Sequence, residues 1–146
     1  GESAEVSGAE DCPQHQINKD WGGKAELLDK LQSMERAAKD LEGLGMPPAE
    51  CSLDQGLPSV RLLRYRGLAW SRVEEGVVVG SAEFEDSRGR QVACWPDGFS
   101  EHYILGHDVV PSDRFLEYVR GFDVDGFVSA VRKLTACIER QAESEG

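Results

Sequence analysis

Two histidines, His102 and His107, are the residues of this sequence best suited to chemistry. Imidazole nitrogens bind transition metals and exchange protons near neutral pH. The two positions are five apart, which separates them by roughly 140° on an α-helix and places them on opposite faces of a strand. They therefore converge only if Gly106 turns the chain between them. Third ligands for a metal would then come from Glu101, Asp108 or Asp97.

A second pair, Cys12 and His15, has the spacing of half a zinc site. A structural zinc site needs two further ligands, which commonly come from a second closely spaced pair. Such a pair does not follow, because Cys51 stands alone. The sequence therefore predicts no cofactor, with zinc as the one metal to consider at either pair.

Nucleophilic and phosphate-binding motifs are absent from the sequence. No serine lies in a Gly-x-Ser-x-Gly elbow, and no glycine-rich loop opens a helix. An incomplete catalytic set leaves enzymatic activity open and favours a protein that is not an enzyme.

Aromatic and arginine side chains supply further binding candidates. Trp95 precedes the two histidines and Tyr103 lies between them. Arg66 and Arg72 lie in the one locally basic run of the chain. Tryptophan, tyrosine and arginine are the usual anchors of protein interfaces. The alternatives are that the two aromatic residues are core and that the arginines line a solvated strand face. The candidate binding set is His102, His107, Trp95, Tyr103, Arg66 and Arg72.

The histidine stretch resembles a motif of an uncharacterised family of short bacterial proteins. The resemblance rests on Trp95-Pro96-x-Gly98, His102-Tyr103-Ile104, His107-x-Val109-x-Pro111 and Phe115. It extends to roughly residues 65–119 through Tyr65-Arg66-Gly67, Ser71-Arg72 and Gly80-Ser81-x-Glu83. Similar sequences carry a cysteine pair near the Ser71-Arg72 position, where this chain has none. The family has no assigned activity, so the resemblance draws attention to both histidines without giving them a role.

Apolar periodicity predicts the elements that position these residues. A stripe at spacings of four and three predicts a helix from about Lys24 to Leu44. Runs of β-forming residues predict strands at 60–66, 68–73, 77–85 and 90–95. A short helix is expected from about Phe99, ended by Gly106 in the left-handed conformation. Ser112 is expected to cap the next helix, and Asp123 or Asp125 the last one.

These elements define an α+β fold: an antiparallel meander of three to four strands, an N-terminal helix, short helices after the sheet and a C-terminal helix. The predicted organisation is a flexible acidic arm at residues 1–20, a single domain at 21–142 and a frayed tail at 143–146.

Composition restricts the partners and the compartment. The net charge of −11 disfavours binding to nucleic acid, which requires basic residues, and no run is apolar enough for a membrane partner. The four cysteines, at 12, 51, 94 and 137, are widely spaced without a signal sequence, which predicts reduced thiols and a cytoplasmic location.

These observations favour a small protein-binding module, such as a regulator, an adaptor or an antitoxin-like inhibitor. A basic protein would suit the acidic charge as its partner. The alternative is a metal-dependent hydrolase or lyase that uses His102 and His107. The oligomeric state does not follow from the sequence.

Overall fold

The computed structural model describes residues 21–70 and 78–145, and of residues 65–70, 78–81 and 145 only the backbone. It combines helices with a three-stranded antiparallel sheet, so the predicted mixture of an N-terminal helix, a sheet and a C-terminal helix is confirmed. The elements in chain order are α1 (Lys24–Leu44), β1 (Val60–Trp70), β2 (Val78–Asp86), β3 (Cys94–Pro96), a π-helix (Phe99–Leu105), α2 (Asp113–Gly121) and α3 (Val124–Glu145).

Helix α1 has the bounds that the apolar stripe predicts. Leu27, Leu31, Met34 and Ala38 repeat once per turn and are buried against the rest of the domain. Gly45 ends the helix with a positive φ, and its amide donates to the carbonyl of Glu42. The periodic burial of one face stabilises the helix, since its own capping is weak.

The sheet differs in detail from the predicted strands. The two strands expected on either side of Gly67 are one strand, β1, which pairs with β2 and has register shifts between Arg64 and Trp70. Because no turn breaks the chain at Gly67, the irregularity is taken up as a bulge within one strand. Residues 71–73 lie outside the described part.

Strand β3 is shorter than the strand predicted at 90–95, because a turn occupies the first half of that range. The amide of Gly89 donates to the carbonyl of Asp86, and that of Val92 donates to the carbonyl of Gly89. Asp86 is buried, which by itself raises its pKa, but bonds from the Arg88 side chain and amide and from the Tyr118 hydroxyl hold that pKa below its ordinary value. The turn is therefore tied to α2, and only Cys94–Pro96 pair with β2.

Two polar side chains cap the last helices as expected. The Ser112 hydroxyl accepts from the amide of Phe115 at 3.3 Å, and Asp123 accepts from the amide of Gly126 at 3.0 Å. Helix α3 continues through Glu145, so residues 143–145, predicted as a frayed tail, form its last turn.

A disulfide joins Cys51, in the loop after α1, to Cys137 in α3. The prediction that all the cysteines are reduced is therefore wrong for these two. Their Cα atoms lie 5.9 Å apart although 86 positions separate them in the sequence. The packing of α1 against α3 brings the two residues together. The spacing of the cysteines in the sequence does not predict this contact.

No helix in residues 21–70 and 78–145 is long and apolar enough to cross a bilayer. The predicted arm at residues 1–20, with Cys12 and His15, lies outside the described residues, as do Ser71 and Arg72.

Candidate functional site

The chain after β3 winds as a π-helix. Gly98 precedes it with φ 100°, a left-handed conformation that suits glycine. The amide of Gly106 donates to the carbonyl of Glu101, five residues back, which is the bond that defines this winding. Gly106 itself has φ −76°, so the predicted left-handed glycine is wrong. Asp108 has the positive φ instead, at 55°.

This winding brings His102 and His107 together. Their ring centroids lie 4.8 Å apart at an interplanar angle of 66°. His107 lies two residues beyond the π-helix, and the i to i+5 winding before it places it near the same face as His102. The angular separation of roughly 140° that an α-helix would give therefore does not apply here. His102 also packs edge-on against Tyr103, at 5.0 Å between centroids, and both histidines are half-buried.

Of the three acidic residues expected as third metal ligands, Glu101 is exposed and the other two form ion pairs. Asp108 accepts from the Lys24 ammonium at 2.7 Å, and Asp97 lies 3.5 Å from the Lys39 ammonium. Within the described residues, no group of three or more His, Cys, Asp and Glu side chains is arranged to hold a metal ion. The histidines are therefore a two-nitrogen pair that needs a ligand from elsewhere to hold a metal.

Directly beneath the π-helix lies a buried carboxylate that sequence reasoning missed. Glu35, on α1, is 7% exposed. One carboxylate oxygen accepts from the Trp95 indole at 2.9 Å, and the other accepts from the Ser100 hydroxyl at 2.7 Å. These bonds connect α1, β3 and the π-helix at one point.

Burial raises the pKa of Glu35 to about 7. The bonds from Ser100 and Trp95 oppose this rise, and the charge of Asp97 adds to it. A sequence signal existed: Glu35 is four positions after Leu31 and three before Ala38, on the face of α1 that is buried. A carboxylate at a core position of an amphipathic helix requires a partner, which here is the indole of Trp95.

The stability of the fold should fall as pH rises from about 4.5 to about 7. Over this range the folded protein retains the Glu35 proton that the unfolded chain releases, so folding stability is lost as pH increases. The shift corresponds to about 3 kcal/mol of unfolding free energy as an upper value. Urea unfolding measured at intervals between pH 4.5 and 8 tests this, by comparison with Glu35→Gln. Glutamine still accepts from Trp95 and donates to Ser100, and its unfolding free energy should lack the decline.

The matched control is Glu42→Gln, on the exposed face of the same helix. A bond from Arg64 lowers the pKa of Glu42 from its ordinary 4.5, a shift opposite in direction to that of Glu35. This variant should keep the wild-type pH dependence. Parallel curves for wild type and Glu35→Gln would contradict the assignment of the titration to Glu35.

Of the other predicted site residues, the structure describes the side chains of two, and both are core. Trp95 and Tyr103 are 0% and 1% exposed, so neither offers a side chain to a partner. Of Arg66 only the backbone is described, and Arg72 lies outside the described residues. Leu105, which the sequence analysis did not single out, is 56% exposed and lies between the two histidines in the sequence. We call Leu105, His102 and His107 the π-helix surface.

Comparison with known proteins gives no relative: no family model, no curated protein and no solved structure matches the chain.

Proposed function

We propose that this chain is a protein-binding module whose contact surface is the π-helix surface. The observation that carries the proposal is the exposure of Leu105, which lies in the sequence between two half-buried histidines, on a segment held from below by the Glu35 bonds. A large exposed apolar side chain on a segment with polar rings is typical of the centre of a small interface. π-Helical segments also occur frequently at functional sites.

The charge of the chain indicates the kind of partner. A net charge of −11 attracts a basic protein and raises its association rate at low ionic strength. The module could then act as a regulator, an adaptor or an antitoxin-like inhibitor, three roles that all require occupation of a partner's surface.

A metal-dependent hydrolase or lyase is the second candidate. The 4.8 Å between the imidazole centroids favours it, because both rings can approach one ion. A catalytic zinc site has three protein ligands and one open position, so a third ligand would have to come from outside the described residues or from a partner.

The disulfide weakens the predicted cytoplasmic location. Disulfides persist in oxidising compartments and are rare where glutathione keeps thiols reduced. The Cys51–Cys137 bond therefore supports a partner in an oxidising compartment over one in the cytoplasm.

Leu105→Arg should reduce capture of the partner at least about tenfold, a loss of about 1.4 kcal/mol that is modest for a central apolar anchor. The measurement is quantitative mass spectrometry of proteins cross-linked to the tagged chain in a lysate of its source cells. Met46→Arg is the matched control, because Met46 is 93% exposed and lies after α1, away from the π-helix in the sequence. A protein retained by Met46→Arg and lost by Leu105→Arg supports the proposal. Equal capture by both variants contradicts it.

The metal alternative is tested on the same preparations. If the second candidate holds, the untagged wild-type protein should bind titrated zinc. Both His102→Ala and His107→Ala should abolish this binding. Binding of zinc by wild type alone, together with unchanged capture by Leu105→Arg, would replace the first proposal by the second.

A further inference from the structure

The two histidines of the π-helix surface are already spaced for one metal ion. The ring centroids of His102 and His107 lie 4.8 Å apart. A zinc ion bound tetrahedrally by two imidazole nitrogens at about 2.1 Å holds their centroids roughly 5 Å apart, because each centroid then lies about 3 Å from the ion. His102-x4-His107 also falls within the spacing of three to five residues that is typical of the histidine pair in a zinc site.

Cys12 and His15 have the spacing of a complementary pair of zinc ligands. Two intervening residues allow both side chains to bind one ion. Cys51 and Cys137 form the disulfide, and Cys94 is 1% exposed within the sheet. Of the four thiols, that of Cys12 is therefore the one best suited to a metal. The two pairs together contain all three histidines of the chain.

The start of α1 lies beside the histidine pair. The ammonium of Lys24, in the first turn of α1, donates to Asp108 at 2.7 Å, and Asp108 directly follows His107 in the sequence. Trp21, whose carbonyl accepts from the amide of Lys24, lines the same open depression as Leu105. The chain that precedes Trp21 therefore joins the described fold next to the π-helix surface.

The length of this preceding chain permits the two pairs to meet. His15 lies six positions before Trp21, and Cys12 lies nine positions before it. An extended chain spans about 3.3 Å per residue, so these lengths reach roughly 20 and 30 Å. Because Trp21 already lies beside the π-helix surface, either length is enough to bring a side chain to the histidines.

We propose that the two pairs bind one zinc ion in a tetrahedral site, with ligands from Cys12, His15, His102 and His107. Thiolate and imidazole are donors that zinc prefers, and four of them fill its coordination shell, as in structural zinc sites. The Cys12 thiol releases its proton to solvent when it binds the ion. Zinc in this site ties the N-terminal segment to the π-helix surface and has no open position for a substrate. The inference does not rest on the proposed protein-binding role, and it differs from the catalytic alternative.

Zinc titration of the untagged full chain tests the site, with no reductant present so that the disulfide stays closed. We expect one zinc ion per chain with a Kd below about 0.1 μM, the weak end of structural zinc sites. Cys12→Ser and His15→Ala should each weaken binding at least about a hundredfold, since the loss of a ligand costs more than the loss of a group that supports one. Glu101→Gln, which changes an exposed acid of the π-helix, is the control and should bind as wild type does.

Two further readouts identify the thiolate. Cobalt in place of zinc should show a thiolate-to-cobalt charge-transfer absorption that Cys12→Ser removes. Zinc should also slow alkylation of Cys12 by iodoacetamide at least about tenfold in wild type but not in His102→Ala, because a metal-bound thiolate is a poor nucleophile.

The proposal is overturned if wild type does not bind zinc at this level, or if alkylation of Cys12 is equally fast with and without zinc. Wild-type zinc affinity in both Cys12→Ser and His15→Ala also overturns it, and would leave an open two-histidine site that supports the catalytic alternative. Leu105→Arg changes no ligand and should bind zinc as wild type does. The capture experiment and the zinc titration can therefore fail independently.

Discussion

Replacing Trp95 with alanine should lower the free energy of unfolding by about 3–5 kcal/mol, the usual cost of truncating a buried aromatic side chain. Trp95 is fully buried and lies within 5.5 Å, centroid to centroid, of both Phe84 and Phe115. Its removal leaves a cavity at the junction of the sheet and α2. It also takes away one of the two side-chain donors to the buried Glu35.

Trp95→Phe separates packing from hydrogen bonding. Phenylalanine fills part of the space and lacks the N–H, so at pH 7 its cost should include about 1–3 kcal/mol for the carboxylate that loses a donor. In a Glu35→Leu background no carboxylate remains, so the loss of unfolding free energy caused by Trp95→Phe should be smaller. The difference between the two backgrounds is the coupling energy of the Trp95–Glu35 pair.

Urea unfolding at pH 7 provides these values, and His107→Ala is the comparison for a surface site. His107 is half-buried on the π-helix surface, and its replacement should cost under about 1 kcal/mol. Equal destabilisation by Trp95→Ala and His107→Ala would show that the π-helix surface is structural and would remove the support for a binding role there.

Removing the Cys51–Cys137 disulfide should destabilise the fold by about 2–4 kcal/mol. The bond closes a loop with a sequence separation of 86, and this constraint reduces the conformational entropy of the unfolded chain. The double variant Cys51→Ala/Cys137→Ala should show this loss in urea unfolding. Because the buried core residues of α3, from Phe127 to Leu134, all precede Cys137, we expect the folded spectrum to persist.

A reductant supplies the control for this experiment. Dithiothreitol should destabilise the wild type to the level of the double variant and leave the double variant itself unchanged. Peptide mapping without reduction should recover the two cysteines in one linked pair. Alkylation of both residues in the native protein before any reductant is added would show that the bond is absent.

The local sequence alone determined the bounds of α1 and the starts of α2 and α3. The apolar stripe of α1 needs only the 3.6-residue repeat and the Gly-Pro signals after it, so its bounds were predictable. Ser112 and Asp123 cap α2 and α3 because their short polar side chains reach amides two or three residues ahead. The runs of β-forming residues predicted an antiparallel sheet. The length of β3, in contrast, depended on the turn formed by Asp86 and Arg88.

Much of the candidate site depends on the folded conformation rather than on the local sequence pattern. Glu35 is acceptable in the core only because Trp95 and Ser100, at least 60 positions away, donate to it. His102 and His107 share a face because the segment winds as a π-helix, a rare form that periodicity rules do not anticipate. Cys51 meets Cys137 only after α1 and α3 have packed. Local propensity acts within a few residues, whereas the burial of a charge or the pairing of two thiols is decided by which surfaces meet in the folded chain.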